Sequence, residues 1–416
     1  MIVMKLTLKQ IRKTVFSLIL VVLGFGAGFF WGTHKVNLTQ EKFSLKSFKI
    51  VNKTTPIDKD LNFDLFWDVW NRLEEKYLIK EDIDRQKMFY GAIQGMTAAL
   101  GDPYTAFLPP VQNKKLKEDL NGAFEGVGIR LGFNKDKRLT VIAPLKGMPA
   151  EKAGVKAGDI IIHLKDEVKE LDEDTLGMSL PEAVEKIRGE SGAEIVLTLI
   201  HENESQSYEA KIKRETIIVP SVTVEFLENN TIAHLKLTRF GELTSEQWDK
   251  SVDEILNKED TIKGIILDVR GNPGGYLKGS VNLASEFLEK GVIVKQEDYR
   301  GEVETYSVNR KGRILTLPLI VLIDKGSASA SEILAGALKD HGRAKLIGTQ
   351  TFGKGTIQES EEINGGMALH ITTAKWLTPN NKWVNEESLI PDIEVENNSD
   401  NPDEDLQLNK AIEELN

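Results

Sequence analysis

From Thr14 to Thr33 twenty residues pass without a charge, most of them apolar, after a basic stretch carrying Lys5, Lys9, Arg12 and Lys13. At 1.5 Å per residue such a run crosses a bilayer core of about 30 Å. The basic flank predicts a cytoplasmic N-terminus, with the remainder of a single-pass protein outside. A cleaved signal peptide is the alternative, but Phe29, Phe30 and Trp31 follow Gly28 where a small-x-small site belongs, which favours an uncleaved anchor. Residues 34–60 are polar and aperiodic and read as a linker. Phe66, Val69, Trp70, Leu73 and Tyr77 then recur at helical spacing, as do Phe89, Ile93, Met96 and Leu100, predicting a helical N-terminal domain over 61–115. Its aromatic stripe suits a packing face, within the chain or between subunits. Pro103 ends the second helix, because a proline pushes the residue before it into extended backbone.

From 118 to 210 the pattern changes to short strands, turns and one helix. Phe124-Glu125-Gly126-Val127-Gly128-Ile129 opens it, and strand-like Leu139 to Ala143 follows. A helix starts at Leu180-Pro181, where proline's missing N–H costs little, and Glu194 to Leu199 reads as the closing strand. The succession resembles a PDZ domain, in which a partner's C-terminal tail adds as a strand beside Ile129 and its carboxylate meets N–H groups around Gly126, Val127 and Gly128. Val127, Ile129, Val184 and Ile187 would line the apolar side-chain pocket.

Strand and helix alternate over 211–396, implying an α/β sheet with parallel pairs. The strands are Ile232 to Leu237, Ile265 to Arg270, Leu319 to Ile323 and Lys345 to Gly348. The helices start at Thr244, at Val281 (to Glu289) and at Ser331 (to His341). Thr244 followed three residues on by Gln247 gives a capping-box pattern. Active residues of such sheets gather at the carboxyl ends of strands, where Gly274-Gly275 and the run Gly326-Ser327-Ala328-Ser329-Ala330-Ser331 both fall. A hydroxyl there sits beside a helix N-terminus whose free N–H groups favour negative charge on a neighbouring oxygen. Periodicity does not separate Ser327, Ser329 and Ser331, and the competing reading makes all three a cap and a tight turn. In Phe352-Gly353-Lys354-Gly355 a lone lysine stands between glycines in a largely uncharged, β-rich stretch, where desolvation would lower its pKa. If 354–358 is extended, Lys354 and Gln358 project from one face.

The net charge of −11 excludes a nucleic-acid partner of the usual basic kind. The absence of cysteine excludes disulfides and a thiol nucleophile, and six scattered histidines offer no metal-ligand spacing, so neither metal nor cofactor is expected.

Assembled in order, Gly101-Asp102-Pro103-Tyr104-Thr105, the PDZ opening, Asp268-Val269-Arg270-Gly271-Asn272-Pro273-Gly274-Gly275, the serine run with Glu332, Phe352-Gly353-Lys354-Gly355 with Gln358, and Pro391-Asp392 resemble the C-terminal processing peptidases, the tail-specific serine proteases of family S41. The resemblance implies an α/β, crotonase/ClpP-like protease core with an inserted PDZ domain, a helical N-terminal segment and one transmembrane helix. It also implies a Ser-Lys dyad whose nucleophile lies twenty-five residues before the lysine, which selects Ser329 for Lys354. Gln358 then holds Lys354, and the backbone N–H groups of Gly275 and Ala330 form the oxyanion hole. Peptides with apolar C-terminal tails are the implied partners, together with a second copy in a homodimer and a regulatory partner. Asn380-Asn381-Lys382-Trp383-Val384-Asn385-Glu386 departs from the family pattern, standing where a Gly-rich hairpin is expected. Residues 397–416 read as an acidic polar tail, flexible from Glu396 to Asp405.

Two other classes compete. An inert PDZ adaptor would not need the intact Ser329, Lys354 and Gln358. A crotonase-like hydratase or isomerase, also built on Gly-Gly oxyanion turns, would need neither the PDZ domain nor the lysine. A Ser-His-Asp triad is opposed by distance, since twelve helical residues put His341 about 18 Å from Ser329.

Overall fold

The computed structural model describes residues 62–201, 204, 206–385, 387–397, 401 and 404–416. The predicted span at 14–33 lies outside them; among the described residues no helix is long and apolar enough to cross a membrane. The chain divides into two units, Met1–Gly91 and Ala92–Asn416.

In the first unit the helix Asp64–Lys76 carries the predicted stripe. Trp70 is buried while Val69 and Leu73 are exposed. Arg85 Nε donates to Glu74 Oε1 at 2.6 Å, tying the start of the helix Arg85–Ala98 back to the first one.

The second unit holds two cores. In the PDZ region, Ile129–Phe133, Leu139–Pro144, Ile160–Asp166, Glu194–Ile200 and Ser207–Lys213 form one antiparallel sheet, closed over by the helix Leu180–Ile187. The predicted closing strand is not the last: Ser207–Lys213 pairs with it along its whole length, so the boundary at 210 cuts a strand. The alternation Tyr208, Ala210, Ile212 was the signal, with Ala210 and Ile212 buried.

The protease sheet runs Val222–Leu227, Ile232–Leu237, Gly264–Asp268, Leu319–Ile323, Lys345–Gly348 and Ile393–Glu394, parallel throughout except for its first strand. Successive side chains of a strand face opposite ways, so a run such as Leu319-Ile320-Val321-Leu322-Ile323 must be covered twice. Leu319, Val321 and Ile323 pack under the helices Thr244–Leu256, Leu277–Ala284 and Ala330–Asp340. Ile320 and Leu322 meet the helix Leu406–Leu415 on the other face, through Leu408, Ala411, Ile412 and Leu415.

That last helix gives the acidic polar tail expected over 397–416 an ordered end. Its apolar positions recur at i, i+3, i+4 and i+7, and Asp405 caps it by accepting from Leu408 N–H. Arg270 clamps Asp405 with two hydrogen bonds of 2.8 Å while also binding Asp268. The Asp268–Arg270 pair therefore anchors the C-terminus. The helix expected over Val281–Glu289 runs instead over Leu277–Ala284, its start hidden by Gly279 and Ser280. A second sheet of Ala106–Leu108, Val292–Asp298, Val303–Ser307, Thr356–Ile363 and Met367–Leu377 carries the segment after Lys354.

Candidate active site

The turn after Leu319–Ile323 separates the three serines. Ser327 Oγ donates to Val269 O at 2.8 Å and accepts from Asp324 N–H at 3.0 Å; Ser331 Oγ donates to Asn272 O at 2.9 Å. Both are buried in these structural roles. Ser329 is partly exposed at the start of the helix Ala330–Asp340, with φ +54° and ψ −114°. A non-glycine residue there carries strain of about 1–3 kcal/mol, held only because its surroundings leave no alternative.

Asn272 supplies much of that constraint. Fully buried, it donates through Nδ2 to Leu237 O (2.9 Å), accepts Gly274 N–H on Oδ1 (2.9 Å), and receives Ala328 N–H on its carbonyl (3.0 Å). The turn is pressed so close to the serine that a Cβ on Gly274 would lie 2.9 Å from Ser329 Cβ, and one on Gly275 would lie 2.2 Å from Phe240 O. With φ of +103° and +137°, both positions require glycine. Among the described residues neither Gly275 N–H nor Ala330 N–H has an acceptor. Two unused donors thus flank Ser329, which opens the helix in a capping box with Glu332. Beside the turn opens a cavity of about 820 Å3, walled in part by Tyr276, Leu277, Asn282, Gln296, Tyr306 and Ile357.

Lys354 reaches the same place through Glu332, to which the sequence assigned no role. Glu332 Oε2 accepts Ser329 N–H at 2.8 Å and Lys354 N–H at 3.0 Å; Oε1 accepts Thr351 Oγ1–H at 2.6 Å and Gly353 N–H at 2.7 Å. Burial pushes this carboxyl's pKa up, and the four donors oppose the shift. The spacing Ser-x-x-Glu, a capping-box pattern, was the available signal. The Lys354 ammonium lies 4.6 Å from the centroid of the Tyr104 ring. Burial lowers its pKa from 10.5, against the opposing charges of Asp102 and Glu332. Among the described residues Nζ makes no hydrogen bond, to Ser329 or to any other.

Gln358 does not hold Lys354 here. Its Nε2 donates to Thr356 Oγ1 (3.0 Å) and Thr372 Oγ1 (3.1 Å). The expected common face fails because the strand begins only at Thr356, so Lys354 lies before its regular two-residue alternation; beside Gln358 the register does shift, but the extra residue, Thr373, is on the partner strand. Thr372 N–H in turn donates to Thr105 Oγ1, which donates to Asp102 Oδ2 at 2.6 Å, so the Gln358 amide and the loop facing Lys354 share one network.

Of the residues expected to line the PDZ pocket, Val127 and Ile187 are buried in that domain's core, while Ile129 and Val184 are half-buried. Gly126 ends the strand Ala123–Gly126, and Gly128, at φ +75°, packs against Met148. His341 and Asp340 are engaged away from Ser329: His341 Nε2 meets Val292 O at 2.7 Å and Asp340 Oδ2 accepts Asn380 N–H at 2.9 Å.

Three family profiles match in succession: "Activating protease CtpB N-terminal domain" over 21–110, "PDZ domain" over 116–200 and "Peptidase family S41" over 231–395. Over 337 residues the chain is 35% identical to the carboxy-terminal processing protease CtpA of Bacillus subtilis, covering 81% of this chain and 70% of that one. Over 341 residues it is 33% identical to CtpB of the same organism, covering 81% and 68%. A solved structure from Bacteroides fragilis, provisionally described as an S41 protease, shares the fold with a TM-score of 0.52 at 14% identity, covering 83% of this chain and 96% of its own.

Proposed function

The chain belongs to peptidase family S41, the serine-type carboxy-terminal processing proteases, and we propose that Ser329 is its nucleophile and Lys354 its general base. The observation that carries the assignment is the Glu332 carboxylate, which binds the backbone N–H of both residues at 2.8 and 3.0 Å. Neutral Lys354 takes the proton of Ser329 Oγ as that oxygen attacks the scissile carbonyl carbon. The developing oxyanion is received by the N–H groups of Gly275 and Ala330. Such donors are worth about 3–4 kcal/mol each because they need no reorganisation. The Lys354 ammonium then gives its proton to the leaving amine, and the C–N bond breaks. Lys354 then deprotonates a water that attacks the acyl-serine ester, and returns that proton to Ser329 Oγ as the ester C–O bond breaks and the product carboxylate leaves. In the resting arrangement the ammonium rests on Tyr104; loss of its proton removes that cation–π attraction and frees the amine for Ser329. Gln358 takes its family role of holding the amine only when its amide leaves Thr356 and Thr372.

The pH profile follows from the lysine. Burial lowers its folded pKa, so kcat/KM rises with pH along a limb below 10.5. Stability carries the same sign: the unfolded lysine binds more protons between the two values, so its contribution is present above its unfolded pKa and is lost as pH falls through the folded one. A limb at or above 10.5, or a flat profile, would contradict the assignment.

The PDZ groove beside Ile129 and Val184 binds apolar C-terminal tails, with the carboxylate at Gly126–Gly128, and supplies them to the protease core. The test uses the full chain in mild detergent and one unstructured substrate ending in either an apolar or an acidic tail. Equal kcat/KM for the two would sink the tail reading, and wild-type turnover surviving Ser329→Ala would sink the nucleophile. Residues 14–33 anchor the chain with its catalytic part outside the cytoplasm; release by alkaline carbonate would exclude an integral anchor. The exposed stripe of Val69 and Leu73 pairs two copies, which sedimentation of monomer alone would refute. A regulatory partner would shift Lys354 from Tyr104 towards Ser329, and cleavage by the purified chain at its full rate would remove the need for one.

A further inference from the structure

We propose that Trp383, with Trp376, is a positioning residue for Lys354, and that the C-terminal hairpin is thereby part of the catalytic apparatus. The inference rests on Lys354 as the base. Trp376 Nε1 donates to Lys354 O at 2.8 Å and Trp383 Nε1 donates to Gly355 O at 2.8 Å. Trp376 N–H donates to the same Gly355 carbonyl at 3.0 Å. With the Lys354 N–H already held by Glu332, every polar backbone group of the lysine and the next carbonyl are fixed.

The fit is close as well as bonded. A Cβ on Gly355 would lie 2.5 Å from Asn385 N and 2.6 Å from Trp383 Nε1, so this glycine lets the hairpin approach. The hairpin itself explains the departure in sequence. Asn381 takes the left-handed conformation at φ +63°, which asparagine tolerates better than other side chains. Thr378 N–H then donates to Lys382 O at 2.9 Å, and Trp383 returns opposite Leu377, next to Trp376. The Asn-Asn turn stands where a glycine-rich one is expected, and the tryptophan it delivers reaches the carbonyl next to the general base.

The two indoles differ in what they can reveal. Trp376 is fully buried and its loss would disturb the core, whereas Trp383 is 43% exposed, so Trp383→Phe removes the N–H donor and keeps most of the packing. In the full chain, Trp383→Phe should lower kcat about tenfold per fluorophosphonate-titrated site with KM unchanged, and move the ascending limb of kcat/KM to higher pH as the amine gains freedom to reach water. Amide exchange in the peptide 352–358 should quicken at least tenfold, a readout that needs no turnover. Unchanged kcat per titrated site, with an unmoved limb and unchanged exchange, would overturn the proposal, and a lower melting temperature alone would mark Trp383 as merely structural. Turnover surviving Lys354→Ala would instead remove the base, and the proposal with it. That control separates the two failures.

Discussion

Lys354→Ala should lower kcat/KM by roughly 10,000-fold, about 5.5 kcal/mol of transition-state stabilisation, and Ser329→Ala should do the same. The double substitution should cost no more than either alone. The reason is that the two groups act on one proton: without the amine the hydroxyl is not activated, and without the hydroxyl the amine has nothing to activate. What remains is the contribution of the Gly275 and Ala330 donors and of substrate binding. Ser327→Ala and Ser331→Ala are the controls. Each removes a buried hydrogen bond to a backbone carbonyl, at 2.8 and 2.9 Å, so each should destabilise the fold by about 1–2 kcal/mol and leave the rate per titrated site nearly intact. Additive losses in the double variant, or a Lys354→Ala enzyme within tenfold of wild type, would remove the dyad.

Much of this site was legible before any coordinates. The strands Leu319–Ile323 and Lys345–Gly348 follow from apolar runs too short for helices, and their carboxyl ends place the two glycine-rich turns together. What the pattern lacked was any means of telling Ser329 from its neighbours. The difference lies in φ and in the hydrogen bonds of Asn272, which come from a turn far away in sequence. Gln358 sits apart from Lys354 because regular strand begins only at Thr356, and nothing in Phe352-Gly353-Lys354-Gly355 marks where the two-residue alternation starts. The helix Leu406–Leu415 failed for the opposite reason. Its period was present in Leu408, Ala411, Ile412 and Leu415, but the acidic composition around it suggested a solvated tail. Trp383 was visible only as a departure, since its bond to Gly355 O joins segments brought together by the hairpin.

Glu332 carries the second large effect, because among the described residues it is the one side chain that accepts from the backbone of both Ser329 and Lys354. Its two oxygens accept four hydrogen bonds from Ser329, Lys354, Gly353 and Thr351, and all four partners donate. Thr351 Oγ1 also accepts Leu389 N–H at 2.8 Å, which ties the loop further. Glu332→Gln is therefore not conservative: turned one way its amide NH2 faces the Ser329 and Lys354 N–H groups, and turned the other it faces the Gly353 N–H, so at least one buried donor loses its acceptor. A loss of about 2–4 kcal/mol in stability is expected, measured by the urea midpoint. Turnover per titrated site should fall at least a hundredfold, since both Ser329 at its strained φ and the segment carrying Lys354 lose their common anchor. Glu332→Ala should be at least as damaging. A Glu332→Gln enzyme with wild-type stability and rate would mean that the carboxylate holds neither residue, and that the backbone around Ser329 keeps its conformation from Asn272 and the glycine turn alone.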